Sequence, residues 1–179
     1  MAIRKAHIQE LLEALDEGLE RNRAAAPVYG ALFESEVVVI PGIAAADALD
    51  AADAIGTIFK VAVPKAGWLN CVRLFDPDDD TLALTLNVFR KPFTPTASDA
   101  ALAIAAADVL QGVCAIPLTT TIDLGGGKIA STPGLNEPYG APDGFLYFQA
   151  STAGVPNIGA LATMPRVQLF IIPALPHKL

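Results

Sequence analysis

The stretch of residues 67–93 constrains the fold most, because it carries the strongest strand pattern in the chain. In its second half, alternate positions are apolar and share one face: Leu82, Leu84, Leu86 and Val88. Alternation with period two predicts a strand with one buried face and one face toward solvent or a partner. The first half, residues 68–75, is apolar on both faces apart from Asn70 and Arg73. It therefore predicts a central strand that is covered on two sides.

An acidic run, Asp76-Pro77-Asp78-Asp79-Asp80, separates the two halves. Asp before Pro, followed by further Asp, is typical of a turn and predicts a β-hairpin that pairs the two strands. The same carboxylates could gather a Ca²⁺ ion. However, the run lacks the glycine and the distant glutamate of an EF-hand loop, so a solvated turn is the favoured interpretation.

Short β-branched or aromatic runs that end at Gly or Pro recur along the rest of the chain and predict further strands. They lie at residues 35–40, 55–63, 113–121, 128–131, 145–150 and 166–172. Pro117 places its strand at a sheet edge or at a bulge, because proline cannot donate to a ladder. Residues 133–144, with three prolines and three glycines, predict an irregular loop.

About eight strands with only two helical segments predict an all-β fold. The expected architecture is a β-sandwich or jelly-roll-like domain with an N-terminal α-helical arm and one short helix between strands. The arm and its linker are expected over residues 1–30, and the β-sandwich domain over residues 31–179. The short helix is expected over residues 100–110, with Ser98 as its N-cap.

The N-terminal segment, residues 4–24, predicts an amphipathic helix. One face of it is apolar and consists of Ile8, Leu11, Leu12, Leu15 and Leu19. The stripe follows the ordinary helical period, and Gly18 interrupts a heptad register, so a self-sufficient coiled coil is not expected. These five residues are therefore the predicted contacts with an adjacent subunit or shell protein. A helix lying on its own β domain is the alternative.

Composition limits the classes of partner. The chain is 53% hydrophobic and 17% charged, with a mean hydropathy of +0.44, which favours an oligomer that covers apolar surface. The net charge of −7 argues against nucleic-acid binding, because phosphate contacts need clustered Lys and Arg. The sequence contains neither a signal-peptide pattern nor an apolar run long enough for a membrane span, so a soluble, non-exported protein is expected.

The sequence offers little catalytic chemistry, and neither an enzyme nor a cofactor is predicted. The run Gly125-Gly126-Gly127-Lys128 lacks the spacing of a phosphate-binding loop and predicts a tight turn. The two histidines, His7 and His177, lie near the termini, where a catalytic or metal site is not expected. Cys71 and Cys114 lie in apolar runs; buried free thiols are favoured, and one disulfide is the alternative.

Several aromatic residues admit a second function, a carbohydrate-binding or adhesion module of β-sandwich type. They could stack on sugars if they formed one platform: Trp68, Tyr139, Phe145, Tyr147 and Phe148. Packing of these rings in the core is the favoured interpretation, because it is the more usual fate of strand aromatics.

The order of motifs over residues 50–173 resembles that of the capsid decoration (cement or head auxiliary) proteins of tailed bacteriophages. The shared layout begins with Asp53-Ala54-Ile55-Gly56 and continues with the apolar strand of residues 67–75 and its acidic turn. A Phe-then-Pro connector follows at residues 87–92, and then a Thr…Ser-Asp-Ala-Ala segment at residues 96–101, with Ala107-Asp108 beyond it. An aromatic strand at residues 145–148 and a terminal apolar strand complete it.

The resemblance implies a non-enzymatic virion structural protein that decorates or cements a capsid. It implies a homo-oligomer, with a trimer as the first expectation, and the major capsid protein as a further partner. It also implies a location on the capsid surface after synthesis in the cytoplasm of the bacterial host. The shared motifs include no catalytic, cofactor-binding or metal-binding residue, and the N-terminal helix lies outside them.

Overall fold

Strands make up nearly all the regular structure in the computed structural model, which describes residues 31–41, 50–77, 83–153 and 164–174. The strands are Phe33–Glu34 (β1), Val38–Val39 (β2), Ala54–Ala62 (β3), Ala66–Asp76 (β4), Leu84–Phe89 (β5), Gly112–Leu118 (β6), Thr121–Asp123 (β7), Lys128–Gly140 (β8), Phe145–Thr152 (β9) and Arg166–Pro173 (β10). In these ranges the only helix is a single turn, Ala106–Val109 (α1). The predicted all-β class is confirmed.

Six strands form the larger sheet, in the order β1-β10-β4-β8-β7, and β2 pairs with β10 as well. Every pairing is antiparallel. β4 is central, as predicted, but its two faces differ. Leu69, Val72 and Leu74 are buried, whereas Trp68 on the opposite face is 41% exposed. The expectation that β4 is covered on both sides is therefore wrong for the described part of the protein.

Four strands form the smaller sheet, in the order β3-β9-β5-β6, again with antiparallel pairing. Among the described strands, β6 pairs with β5 alone and lies at the edge of this sheet, so Pro117 occupies the edge strand that its missing N–H predicts.

The predicted hairpin between β4 and β5 is wrong. β4 pairs with β8 and β10 in the larger sheet, and β5 pairs with β6 and β9 in the smaller sheet. The acidic connection between them therefore carries the chain from one sheet to the other. Turn chemistry is local and does not specify which strands pair. Each strand has one strongly apolar face, and the two sheets bury these faces in a common core.

One cluster of buried apolar side chains contains residues of both sheets. Its largest fully buried members are Ile40, Ile55, Leu69, Leu74, Leu84, Leu86, Ile116, Leu118, Leu146 and Phe148. Phe59 and Phe148 stack inside it, with ring centroids 5.2 Å apart. The alternation of Leu84, Leu86 and Val88 thus has the predicted consequence, because all three are fully buried.

Residues 133–144 differ from the predicted loop, because β8 continues through Pro138 to Gly140. An irregularity in its pairing with β4, opposite Leu69 and Cys71, absorbs the extra residues. Gly134 and Asn136 lie there with φ of +70° and +50°. Such backbone accommodates Gly, and Asn more readily than most residues.

The helix expected over residues 100–110 is also shorter than predicted. Asp99 has φ of +62°, and Ser98 is not a helix cap: its Oγ accepts a hydrogen bond from the N–H of Gly56 at 3.1 Å. The N–H of Leu102 donates to the carbonyl of Ala52 at 3.0 Å, so this segment is held beside β3. The predicted helical arm over residues 1–30 lies outside the described residues.

Candidate interaction surface

A row of five side chains crosses the outer surface of the larger sheet at one end. Residues directly opposite one another in antiparallel strands point to the same face. The register places in one row Val39, Arg166, Phe75, Ile129 and Ile122, from β2 to β7. Val39 is 43% exposed and Ile122 is 64% exposed. This end of the sheet therefore presents apolar side chains to solvent around one arginine.

The same surface continues to the other end of the sheet. There Trp68 lies opposite Ile172 on β10 and Pro138 on β8. Between the two ends, the guanidinium of Arg73 lies over the Phe170 ring, 4.8 Å from its centroid. Such a cation–π contact holds the arginine flat against the sheet.

We call this surface the outer apolar face and define it by Val39, Trp68, Phe75, Ile122, Ile129, Phe170 and Ile172, together with Arg73 and Arg166. The same register places a polar row, Gln168, Arg73 and Ser131, between the two apolar ends. Exposed apolar patches usually mark interaction sites in a soluble protein. Aromatic residues and arginine are also enriched at protein–protein interfaces. The outer apolar face therefore has the composition of an interface.

Two clefts of about 360 Å³ each flank Phe75 and Pro77 at one end of this face. One is bordered by Leu124 and Gly127, and the other by Val37 and Arg166. Both are shallow and lined mainly by apolar atoms, so each could accept an apolar side chain of a partner.

The glycine run shapes the first cleft. Residues 124–127 form the turn between β7 and β8, as predicted, and the N–H of Leu124 donates to the carbonyl of Gly127 at 2.9 Å. Gly125 has φ of +82°, which glycine adopts most easily, and its N–H donates to the Asp123 carboxylate at 2.6 Å. The turn leaves Leu124 exposed beside the outer apolar face.

The smaller sheet differs, because the chain covers its outer surface itself. Gln149 is fully buried there, and its side chain makes two hydrogen bonds with the backbone of Thr96. The N–H of Thr96 donates to Gln149 Oε1 at 3.1 Å, and Gln149 Nε2 donates to the Thr96 carbonyl at 2.6 Å. We call residues 90–105, between β5 and α1, the connector; its Phe93 packs on Phe89 with ring centroids 3.9 Å apart. Val109 and Leu110, at the end of α1 between β5 and β6, are nevertheless exposed, so the segment that covers the smaller sheet carries apolar surface of its own.

The aromatic residues proposed for a sugar platform do not come together. Tyr139 and Phe148 are buried in the core, and Trp68 lies on the larger sheet. Phe145 and Tyr147 are on the smaller sheet, where Lys60 Nζ lies 4.3 Å from the Phe145 centroid. Of this set, Trp68 is the most exposed residue, at 41%.

Tyr147 also forms a polar contact at the surface. Its hydroxyl donates to Asp143 Oδ2 at 2.6 Å. This hydrogen bond lowers the pKa of Asp143 and raises the pKa of Tyr147, because it stabilises the carboxylate and the neutral phenol. Both groups are exposed, so the pair orders the start of β9 without closing a pocket.

Both cysteines are free thiols, as predicted, but each is half-buried and not fully buried as expected. Burial raises the pKa of each, and that of Cys114 rises to about 12. Neither thiol is thus an activated nucleophile at neutral pH. Among the residues that the structure describes, no three His, Cys, Asp or Glu side chains are grouped to bind a metal ion. His7, His177 and Asp78–Asp80 fall outside those residues.

No helix in the described ranges is long and apolar enough to cross a membrane. The predicted contact residues of the N-terminal stripe lie outside the described residues, so their docking partner stays a prediction. They are Ile8, Leu11, Leu12, Leu15 and Leu19.

Sequence reasoning missed the outer apolar face, although the pattern of β4 contained an indication of it. A strand that is apolar on both faces has one apolar face for the core and a second for another contact. Trp68 and Phe75 belong to that second face.

No protein-family model matches the sequence, and no curated protein shows a significant match to it. Function is therefore inferred from the surface chemistry and from the sequence resemblance given above.

Proposed function

We propose that the protein is a non-enzymatic virion structural protein that decorates or cements a bacteriophage capsid as a homo-oligomer. The observation that carries the proposal is the outer apolar face, with Trp68 and Phe75 at its two ends. Buried aromatic anchors supply much of the binding energy in protein interfaces. A decoration protein needs such surfaces, because it works by adding contact area between neighbouring shell subunits.

The finer architecture belongs to the same proposal: a β-sandwich or jelly-roll-like domain over residues 31–179, preceded by a helical arm over residues 1–30. The shared core and the antiparallel pairing of both sheets support the sandwich. Such a core would hold the outer apolar face flat and rigid, so little ordering entropy would be lost when it binds.

The proposed partners are other copies of this chain, with a trimer as the first expectation, and the major capsid protein. The net charge of −7 supports a place on the outside of the shell, where an acidic protein would not compete for packaged DNA. Neither nucleic acid nor membrane is a proposed partner. The protein would be made in the cytoplasm of the bacterial host and then reside on the virion surface.

Co-sedimentation with purified capsids that lack this protein tests the proposal. The wild-type protein should pellet with the capsids at a fixed stoichiometry. Ile122→Asp should pellet poorly, because it places a carboxylate on the outer apolar face. Leu110→Asp is the matched control, since Leu110 is even more exposed, at 78%, and lies outside that face. Wild-type protein that stays monomeric and leaves the capsids bare would exclude the proposed function.

A carbohydrate-binding or adhesion module is the second candidate, and the exposed ring of Trp68 favours it. Sugars stack on such rings at carbohydrate sites. A glycan array probed with the wild-type protein and with Trp68→Ala distinguishes the candidates. Binding that disappears in the variant would favour the module, whereas an array without binding removes it.

A further inference from the structure

The larger sheet carries opposite charges at matching distances from its polar row. On β10, Arg166 lies two residues from Gln168, toward one end of the sheet. Phe170 lies two residues from Gln168 in the other direction, and Glu34 is opposite Phe170 on β1. Both charged side chains are exposed. The guanidinium and the carboxylate therefore lie about equally far from the polar row, on either side of it.

This spacing permits a twofold contact between two copies of the face. The axis lies between the two sheets, along the polar row and perpendicular to the strands. A half-turn about it reverses the strand direction and keeps β10 over β10. Glu34 of each copy then lies over β2 of the other copy, one strand spacing of about 4.8 Å from Arg166. Complementary charges of this kind fix the orientation of a contact.

The alternative twofold axis, parallel to the strands, loses this match. It exchanges the two edges of the sheet, so Glu34 of one copy would lie over the β7 edge of the other, far from Arg166. The charges therefore favour the axis along the polar row.

The apolar ends of the face agree with the same axis. Trp68 pairs with β10 at the fourth residue from Gln168, so the half-turn places its ring about 13 Å beyond the polar row on the other side. Pro77 lies there, four residues from Arg73 along the chain. The two clefts of about 360 Å³ both border Pro77. An axis chosen from the charges alone thus places each Trp68 at the clefts of the other copy.

Arg73 lies in the polar row, but its charge is displaced from the axis. The guanidinium lies over the Phe170 ring, and Phe170 is opposite Cys71, two residues along β4. The half-turn moves the second guanidinium the opposite way along the strand, so the two Arg73 groups lie about 13 Å apart. Each then approaches the Glu34 carboxylate that it shares with Arg166 of the other copy.

The size of the face suits such a pair. It spans about 19 Å across, from β2 to β7, and about 20 Å along β10, from Arg166 to Ile172. With the side chains at the rim, two faces would bury on the order of 1,000 Å² in total, which is where specific interfaces begin.

We propose that the outer apolar face binds the same face of a second copy of this chain, through a twofold axis along the polar row. Glu34 of each copy lies beside Arg166 of the other, and Trp68 fills the clefts beside Pro77. The inference rests on the homo-oligomer of the proposed function and names its contact. A closed twofold contact makes a dimer, whereas the resemblance alone leads to a trimer.

Charge reversal on the full-length protein tests the inference. Glu34→Arg and Arg166→Glu should each raise the dimer Kd, measured by light scattering, by about tenfold or more, because each brings like charges together at both symmetric contacts. Lys91→Glu is the matched control. It makes the same change of net charge as Arg166→Glu at an exposed position on the connector, and its Kd should equal that of the wild type. Circular dichroism verifies that each variant is folded.

A mixture of the two variants gives the sharper result. In a heterodimer of Glu34→Arg with Arg166→Glu, both symmetric contacts again join opposite charges. Native mass spectrometry of an equimolar mixture, with one variant labelled with ¹⁵N, should show the heterodimer in large excess over both homodimers. The chain that carries both substitutions should dimerise like the wild type.

Three results would overturn the inference. They are a heterodimer at only the statistical proportion, a wild-type mass other than that of a dimer at every concentration, and single variants that dimerise like the wild type. If such variants also fail to pellet with capsids, the face belongs to the capsid protein instead. Wild-type protein that pellets with capsids in any of these cases leaves the proposed function standing. Bare capsids beside the predicted heterodimer would exclude the proposed function alone, so the two failures are distinguishable.

Discussion

Replacing Gly67 with alanine tests the close approach of β4 and β10. A Cβ at this position would lie 2.6 Å from the Ile172 carbonyl oxygen and 3.2 Å from the Pro173 Cα. Both are backbone atoms of a paired strand, so neither can rotate away. Overpacking of this kind costs about 1–3 kcal/mol. The lower entropy of the unfolded alanine chain returns about 0.4–1 kcal/mol. The difference spans about 0–2.6 kcal/mol, and the 2.6 Å approach to a fixed backbone oxygen selects the upper part of that range, so the free energy of unfolding should fall by about 1–2 kcal/mol.

Thermal unfolding followed by circular dichroism measures this effect. For a chain of this size, the loss should lower Tm by about 2–8 °C. Gly140→Ala is the matched control, because Gly140 lies one strand away, opposite Ala66, and a Cβ there meets no atom within 4 Å. Its Tm should stay the same or rise slightly. Equal Tm values for the two variants would refute the packing argument at Gly67.

Three further predictions concern the polar contacts. Gln149→Leu removes both hydrogen bonds between the Gln149 side chain and the Thr96 backbone. The free energy of unfolding, measured by urea titration, should fall by about 2–4 kcal/mol. An unchanged free energy would mean that these two hydrogen bonds do not hold the connector on the smaller sheet. Tyr147→Phe should raise the pKa of Asp143 in a carboxyl NMR titration. This hydrogen bond stabilises the fold fully above the ordinary pKa of Asp143, and the stabilisation is lost as the pH falls through the lowered pKa of the folded protein. An unchanged Asp143 pKa in the variant would contradict the hydrogen bond from Tyr147 as the cause of the shift. In copies separated by dilution, where the outer apolar face around Cys71 is uncovered, Cys114, with a pKa of about 12, should react with a thiol reagent more slowly than Cys71. Faster reaction of Cys114 would contradict the stronger burial of its thiol.

The strands were predictable from sequence where the pattern records local burial. Leu84, Leu86 and Val88 alternate because one side of β5 faces the core, and Pro117 indicates an edge because it lacks an N–H. Pairing was not predictable in the same way. The Asp76-Pro77 turn is compatible with a hairpin and with a crossing between sheets, and burial of both strands in one core decides between them.

The alanine-rich segment after Ser98 failed as a helix prediction for a different reason. Alanine favours helix only weakly, and tertiary hydrogen bonds override that preference. The N–H of Ala54 donates to the carbonyl of Ala100 at 2.8 Å, and the N–H of Asp99 donates to the carbonyl of Ala54 at 3.0 Å. These bonds hold the segment against the start of β3, and they involve partners about 45 residues apart in sequence, which a local pattern does not record.

The candidate surface was only partly predictable. The sequence pattern reveals that β4 is apolar on both faces, but the register of five strands is needed to bring Val39, Phe75 and Ile122 into one row. Those pairings join residues that are far apart in the chain. Short strands such as β2 and β7 carry too little pattern of their own to place their exposed side chains.

The fluorescence of Trp68 tests the central claim, that the outer apolar face is an interface between copies, most directly. Trp68 is the only tryptophan in the chain, and the residue is 41% exposed in the protomer. Acrylamide quenching and light scattering should be measured together over a range of protein concentrations. The account predicts an oligomeric mass with weak quenching at high concentration, and stronger quenching as dilution separates the copies. A monomeric mass at every concentration, with strong and constant quenching, would contradict it.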